Sequence, residues 1–266
     1  TGTATGGKDF ADSSNRALPL SKTGTVTLGQ SGFLGKSPLL DGASGYVSTG
    51  AFDFGTLNEI TYSFWAKNSI AQLTAKQGLV RKATQVFEVF SENGQLKYCI
   101  SNSVAWHCAV IGPIFYDWDQ WHFFTIVYNG ANVFAYRDGK LIGTSGAETG
   151  SIPASSGTAM LGYSSAVGTT FWNGYLDEAA IWSRALTSTE ILQLYRRGAN
   201  RNKLQFRTCT QSDCSDKTDA DWVGPDKTAS SWFSELHNMA AVASTGDGSG
   251  VISLTAPLLD FSKWIT

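Results

Sequence analysis

The sequence predicts an all-β fold, and two observations carry that prediction. The chain of 266 residues is 12% aromatic and only 16% charged, and it contains 28 glycines, a composition that suits β proteins with many turns. Residues 121–143 then read as three antiparallel strands, because runs rich in aromatic and β-branched residues are joined at Asn129-Gly130 and Asp138-Gly139. Both dipeptides tolerate the positive φ angles of tight hairpin turns.

The first of these strands is largely apolar on both faces. An antiparallel sheet usually presents one polar face to water. We therefore expect this strand to lie centrally, with its second face either covered by another element or forming the floor of a ligand groove.

The other elements follow in chain order. Residues 1–9 are rich in Thr and Gly and indicate a linker. A helix is predicted after Thr187, because Thr187 and Glu190 form a capping box and Gly198 provides the C-terminal glycine. Further strands are predicted from short apolar or alternating runs at residues 23–28, 46–48, 60–66, 78–81, 86–91, 95–100, 160–163 and 175–182.

Two stretches are predicted as loops that carry aromatic side chains. Residues 99–108 are rich in Ser and Asn and carry Trp106 and His107, and residues 111–119 carry Tyr116 and Trp118. A disulfide between Cys99 and Cys108 would hold the first stretch in place, so that both stretches could reach the same edge of a ligand groove.

Four cysteines, Cys99, Cys108, Cys209 and Cys214, allow three pairings. Their spacing favours the local pairs Cys99–Cys108 and Cys209–Cys214, and disulfides indicate an oxidising compartment. A zinc site formed by Cys99, His107 and Cys108, or four reduced thiols, remain as alternatives. The chain begins without Met or a signal peptide, which indicates a processed chain or an excised fragment.

After residue 200 the chain is more polar, with strand candidates at 204–209, 230–236 and 250–255. We expect residues 200–266 to form a small β-rich C-terminal module. About 65 residues make a poor independent core, so this module is expected to lean on the first domain, on a neighbouring subunit as a homo-oligomer, or on sequence outside this chain.

Three segments resemble laminin G-like domains of the concanavalin A-like lectin/glucanase superfamily. Trp121-His122 with Asp138-Gly139-Lys140 resembles the central hairpin, Asp12-Ser13-Ser14-Asn15 with Leu40-Asp41-Gly42 resembles the opening, and residues 173–191 resemble the closing strand and helix. The resemblance covers roughly residues 8–198. It implies that residues 10–199 form a two-sheet jelly-roll sandwich with one short helix, often with a structural calcium ion and a carbohydrate or protein ligand. The pattern around Cys209 and Cys214 resembles small β modules that follow such domains in bacterial surface proteins.

The adjacent acids Asp177 and Glu178 interrupt an apolar strand. A buried carboxylate is costly unless it is paired or bound to a cation. The resemblance implies a calcium ion, Ca²⁺, between the opening loop and this strand, held by Asp177 with Asp12 or Asp41. The alternative is that these acids accept hydrogen bonds from loop N–H groups or from Arg184, with no metal.

Catalysis is not predicted, although the superfamily includes glycoside hydrolases. The Glu-x-Asp-x-x-Glu motif of those enzymes is absent from the sequence, and Asp117 and Asp119 have a suitable spacing but no glutamate partner. The net charge of -2 gives no reason to expect nucleic acid as a partner, and no apolar run is long enough for membrane insertion.

The aromatic loops instead predict a non-catalytic module that binds glycans or glycoproteins on a cell surface. Rings of Trp and Tyr stack on the C–H faces of sugars, and loops at one end of a sandwich often carry such sites. The same rings could alternatively be core residues. The module would belong to an extracellular bacterial adhesin or fibre; the alternatives are a structural or oligomerising module and a divergent glycoside hydrolase. The candidate ligand residues are Trp106, His107, Tyr116, Asp117, Trp118, Asp119, Tyr163 and Trp172, with Asn173 adjacent.

Overall fold

The computed structural model of the chain describes residues 10–12, 14, 16–82, 86–102, 105–165, 168–199, 207, 209–211, 213, 215–218 and 221–222. The chain divides into two compact units, Thr1–Gly198 and Ala199–Thr266. The strand candidates of the predicted C-terminal module lie largely outside the described residues. Within the described part, no helix has the length and apolar character needed to cross a membrane.

The first unit is built almost entirely of strands, with one helix at its C-terminal end. The elements are β1 (Phe10–Ala11), β2 (Pro19–Thr23), β3 (Val26–Ser31), β4 (Lys36–Asp41), β5 (Tyr46–Thr49), β6 (Ile60–Asn68), β7 (Gln77–Lys82), β8 (Phe87–Glu92), β9 (Gln95–Ser101), β10 (Trp106–Ile114), β11 (His122–Tyr128), β12 (Val133–Arg137), β13 (Lys140–Thr144), β14 (Ala159–Leu161), β15 (Tyr163–Ser164), β16 (Thr170–Phe171), β17 (Asn173–Trp182) and α1 (Ser188–Ala199).

These strands form two large antiparallel sheets and one short hairpin. The eight-stranded sheet has the order β1-β2-β5-β14-β7-β8-β9-β10, the seven-stranded sheet has the order β13-β12-β11-β6-β17-β4-β3, and β15 pairs with β16. The core lies between the two large sheets, where Tyr62 of β6 stacks on Phe87 of β8 with ring centroids 4.1 Å apart. The predicted all-β, two-sheet sandwich is therefore confirmed.

The predicted hairpins of residues 121–143 are present as β11, β12 and β13. Asp138 and Gly139 both have positive φ angles, 53° and 76°, as a two-residue turn of type I′ requires. Strand β11 lies centrally, paired with β6 on one side and β12 on the other.

The second face of β11 is covered by the helix and is not a groove. Val127 belongs to a cluster with Leu186 and the fully buried Ile191, and Tyr195 of α1 lies 6.5 Å from the ring of Phe123. The capping box is also confirmed, because Thr187 N donates to Glu190 Oε2 at 2.8 Å and Glu190 N donates to Thr187 Oγ1 at 3.3 Å.

Two sequence predictions are wrong over residues 106–114, because these residues form strand β10. They are the loop at 99–108 and the surface segment from residue 111. The Gly112-Pro113 pair in this stretch argues against a central strand. However, β10 is the edge of its sheet, where proline is tolerated. Gly112, with φ of 126°, lies where the register with β9 shifts between Val110 and Ile114, so the irregularity is absorbed as a bulge.

The predicted disulfide Cys99–Cys108 is confirmed, and it joins directly paired positions of β9 and β10 with a Cα–Cα distance of 4.0 Å. This bond excludes the zinc alternative for these cysteines. Cys209 is disulfide-bonded, but its predicted partner, Cys214, lies outside the described residues.

Candidate functional site: a cavity at one end of the sandwich

One end of the sandwich, here called the loop end, gathers four connections of the chain. Because neighbouring strands are antiparallel, the C-terminal ends of β6, β8, β10 and β12 lie together. The four connections that follow these strands are residues 69–76, 93–94, 115–121 and 138–139.

A cavity of ≈ 200 Å³ opens among the first three of these connections. Its lining contains uncharged polar side chains, apolar side chains and one glycine. The lining residues are Gln72, Leu73, Thr74, Asn93, Gly94, Ile114, Phe115 and Tyr116.

Backbone hydrogen bonds tie the connections together around this cavity. The carbonyl of Gly94 accepts from Phe115 N at 2.9 Å and from Trp118 Nε1 at 3.2 Å. Trp118 N donates to Ala71 O at 3.1 Å, and Trp118 O accepts from Asn68 N at 2.7 Å. The cavity wall is therefore pre-organised by bonds between residues far apart in the sequence.

Tyr116 supplies the aromatic surface of the cavity. It is 64% exposed, the largest value among the large apolar side chains of the described residues. Gln72, Thr74 and Asn93 are exposed as well, and within the described part of the chain their side chains make no hydrogen bond. An exposed ring thus stands beside several uncharged polar groups that remain available to a ligand.

A charged cluster lies behind the loop that carries Tyr116. Arg137 Nη2 pairs with Asp117 Oδ2 at 2.6 Å, and its guanidinium lies 4.3 Å from the centroid of the Phe115 ring. Desolvation raises the pKa of Asp117, but the hydrogen bond and charge of Arg137 outweigh it and lower that pKa below its ordinary value. His122 Nδ1 lies 2.7 Å from Asp138 Oδ2, so the Trp-His and Asp-Gly parts of the hairpin motif contact each other and have a structural role.

Asp119 differs from these paired groups. It is half-buried, and its carboxylate forms no ion pair or hydrogen bond with the described residues. The loop 115–121 therefore carries one uncompensated negative charge.

The predictions that Trp118 and Trp172 contact a ligand are wrong, because both are core residues. Trp118 is 2% exposed and Trp172 is fully buried, with their rings 5.9 Å apart. Trp118 also stacks on Phe124 at 5.2 Å. A ring enclosed in this way has no free face for a sugar.

The prediction that Trp106 and His107 share a rim with Tyr116 is also wrong. Trp106 begins β10 and Ile114 ends it, so eight steps of about 3.3 Å separate the two ends by roughly 26 Å. His107 instead pairs through Nδ1 with the buried Glu148, whose Oε1 also accepts from Tyr98 Oη at 2.7 Å. Trp106 is half-buried at this opposite end.

Tyr163 lies in a separate half-exposed aromatic group and does not line the cavity. Its ring centroid is 5.2 Å from that of Tyr46 and 5.5 Å from that of Phe171. Asn173 N donates to Gln77 Oε1 at 2.9 Å.

The three predicted metal ligands do not fit a calcium site, because each carboxylate is engaged by N–H and hydroxyl donors. Asp177 Oδ2 accepts from Leu34 N at 2.8 Å and Oδ1 accepts from Glu178 N at 2.9 Å. Asp41 Oδ1 accepts three backbone N–H groups, from residues 43, 44 and 45. Asp12 bonds Ser14 and Leu18 in the same way.

The described residues also contain no group of three His, Cys, Asp or Glu side chains that would hold an ion. The two N–H donors of Asp177 are those that the alternative with loop N–H groups expects, and the calcium ion stays a prediction. Burial raises the pKa of Asp177 to about 6, because an apolar environment disfavours the charged carboxylate.

Solved structures with the same fold are binding domains of clostridial toxins. The binding domain of Paraclostridial Mosquitocidal Protein 1 is 17% identical, with a TM-score of 0.58 over 76% of this chain and 52% of that chain. A botulinum neurotoxin type C structure, for which cell entry depends on interaction with two ganglioside molecules, is 17% identical, with a TM-score of 0.53 over 71% and 48%. The binding domain of botulinum neurotoxin DC in complex with rat synaptotagmin II is 18% identical, with a TM-score of 0.55 over 73% and 50%. At these identities the likeness concerns the fold alone, and this chain spans about half the length of the structures that it matches.

The family comparison is more specific. No curated protein matches the chain. The laminin G-like family model described as the concanavalin A-like lectin/glucanases superfamily matches residues 41–192, which is more than half of the chain and includes the whole loop end. The chain therefore belongs to the laminin G-like family of the concanavalin A-like lectin/glucanases superfamily.

Proposed function

We propose that the first unit is a non-catalytic module that binds a glycan or glycoprotein on a cell surface through the cavity at the loop end. The observation that carries the proposal is the exposed ring of Tyr116 beside the unengaged side chains of Gln72, Thr74 and Asn93. A sugar offers C–H faces to an aromatic ring and hydroxyl groups to amides and hydroxyls. A concave site with a few converging polar groups is the usual form of a small-ligand site.

The geometry of the cavity favours binding over catalysis. Among the described residues no carboxylate lines it, whereas glycoside hydrolysis normally uses two carboxyl groups that face one sugar. Two acids that are adjacent in sequence to lining residues are paired within the protein, Asp117 with Arg137 and Glu92 with Lys97. This favours a lectin-like role over that of a divergent hydrolase.

An extracellular location agrees with this role. The Cys99–Cys108 bond favours an oxidising compartment, and structures of similar fold are toxin binding domains, one of which is linked to gangliosides and another to a protein receptor. The adhesin or fibre context, with a homo-oligomer formed through residues 200–266, belongs to the same proposal.

The test is a glycan array probed with the full 266-residue chain and with two variants. Tyr116→Ala should weaken binding by roughly 1–3 kcal/mol, or about 5- to 150-fold, by analogy with stacking of bases on aromatic side chains. Tyr116→Phe should retain most of the binding, because it keeps the ring. Leu141→Ala is the matched control, since Leu141 is a similarly exposed apolar side chain, at 54%, on β13.

Each outcome has a clear meaning for the proposal. Normal folding and unchanged binding by Tyr116→Ala, or equal losses in Tyr116→Ala and Leu141→Ala, would overturn the assignment of the cavity. Absence of any bound glycan on a broad array would overturn the carbohydrate proposal itself.

A further inference from the structure

The chemistry of the cavity lining also indicates the class of sugar, and this step rests on the proposed function. The described residues that line the cavity are all of uncharged types. An acidic sugar would lose part of its hydration on entry without gaining a cationic partner, and burial of an unpaired charge is costly.

Three basic side chains at the loop end, Arg137, Lys97 and Lys76, do not line the cavity. Arg137 pairs with Asp117 at 2.6 Å, and Lys97 pairs with Glu92 at 2.5 Å. Lys76 follows Gln72 and Thr74 in the chain, but its Nζ lies 4.2 Å from the centroid of the Phe90 ring and it does not line the cavity. Ion pairs hold Arg137 and Lys97 to acids of the protein, and Lys76 Nζ is buried without a hydrogen-bond partner among the described residues.

The loop that carries Tyr116 also carries an uncompensated negative charge. Asp119 lies three residues after Tyr116 in the same loop, and its carboxylate has no partner in the described part of the chain. Its field repels an anionic ligand and tolerates a neutral one.

The cavity is open to solvent, and its volume can be compared with that of one sugar unit. Each bound water needs about 10–15 Å³ of such volume, so ≈ 200 Å³ holds roughly fifteen water-sized groups. One pyranose ring with its hydroxyls has about a dozen non-hydrogen atoms, and pockets for larger, drug-sized ligands are about 300–1,000 Å³. The space therefore suits one sugar unit, with any remaining units outside in solvent.

We infer that the cavity takes a single uncharged pyranose unit, such as a terminal neutral hexose, and excludes sialylated, uronic-acid and sulfated units. This selectivity follows from the neutral lining beside Tyr116 and the unpaired carboxylate of Asp119. A basic site would show the opposite preference, for acidic glycans. The selectivity for neutral units does not depend on a metal ion.

Matched pairs of glycans test the inference. Calorimetric titrations would compare a neutral oligosaccharide that binds on the array with the same oligosaccharide carrying a terminal sialic acid or a sulfate group. The expected result is about tenfold or greater weakening by the acidic group. For the neutral ligand we also expect little change in affinity between low and high salt, because no ion pair forms.

Two variants separate the electrostatic argument from simple steric exclusion. Gln72→Lys places a cation at the cavity. It should therefore reduce the difference in binding affinity between the neutral and the acidic glycan. Gln72→Met has a similar length without the charge and should not narrow it. Asp119→Asn should also narrow the difference, while leaving the affinity for the neutral glycan nearly unchanged.

The outcomes distinguish this inference from the proposed function. Preferential, Tyr116-dependent binding of acidic glycans would overturn the inference and leave the carbohydrate function intact. An unchanged preference for neutral glycans in both Gln72→Lys and Asp119→Asn would show that charge does not set the selectivity. Absence of binding to neutral and acidic glycans alike would overturn the proposed function itself.

Discussion

Replacing Trp118 with alanine tests whether the loop end is held by its buried tryptophan. Trp118 is 2% exposed, stacks on Phe124 at 5.2 Å and meets Trp172 edge-on at 5.9 Å. Removing a buried Trp side chain typically costs 3–5 kcal/mol. The substitution also removes the hydrogen bond from Nε1 to Gly94 O, but this carbonyl keeps its bond from Phe115 N at 2.9 Å, so no acceptor is left unsatisfied.

We therefore expect Trp118→Ala to lower the free energy of unfolding by ~3–5 kcal/mol, which corresponds to a fall in melting temperature of about 6–20 °C for a domain of this size. Trp118→Phe keeps an aromatic ring in the core and should cost less. Tyr116→Ala is the control from the same loop, and it should stay within about 0.5 kcal/mol because its side chain is exposed.

Chemical denaturation in urea, followed by tryptophan fluorescence and by circular dichroism, measures these values. Coincidence of the two transitions checks that unfolding is two-state. If Trp118→Ala were as stable as the parent chain to within about 1 kcal/mol, the ring would not be a core residue, and the cavity wall described here would be wrong.

The remaining predictions concern other elements of the first unit. Asp177→Ala leaves the N–H of the buried Leu34 without an acceptor. We therefore expect the free energy of unfolding to fall by ~1–3 kcal/mol, by the same amount with and without chelator. A fall seen only in the absence of chelator would support the calcium site. Burial raises the pKa of Asp177 to about 6, so the folded state favours the protonated carboxyl. The stability that this preference contributes is present below about pH 4 and is lost as the pH rises through 6. The stability of Asp177→Asn relative to the parent chain should therefore increase between pH 4 and 7 in parallel urea titrations, and a constant difference would contradict the raised pKa. Joint replacement of Cys99 and Cys108 by serine should lower the free energy of unfolding by roughly 2–3 kcal/mol, as chain entropy gives for a bridge with a sequence separation of 9; an unchanged denaturation midpoint would show that the register of β9 and β10 does not need the bond.

The fold was predictable where local chemistry decides it. Asp138-Gly139 fixes the hairpin between β12 and β13 whatever surrounds it, and the capping box of Thr187 and Glu190 defines the start of α1. Strand β10 was missed because Gly112-Pro113 is a local breaker, and only its position at the sheet edge makes the pair acceptable.

The site was harder to predict because burial at the loop end is a tertiary property. Asp117 and Asp119 flank Trp118 and suggest an exposed segment, yet the indole closes the end of the core while the acids lie on either side of it. The polar residues of the cavity come from two connections far from Tyr116 in the chain. The Asn93-Gly94 turn signal placed one of them on a turn, but Gln72 and Thr74 carried no local signal at all.

Nuclear magnetic resonance can map where a neutral glycan binds on the first unit. Titration of such a ligand into isotope-labelled protein, followed by amide chemical shifts, should perturb residues 72–74, 93–94 and 114–116 first and most strongly. We expect Tyr116→Ala to require about 5- to 150-fold more ligand for the same pattern, without altering the amide shifts of the opposite end. Perturbation centred instead on Trp106 and His107, or on the aromatic group of Tyr46, Tyr163 and Phe171, would contradict it.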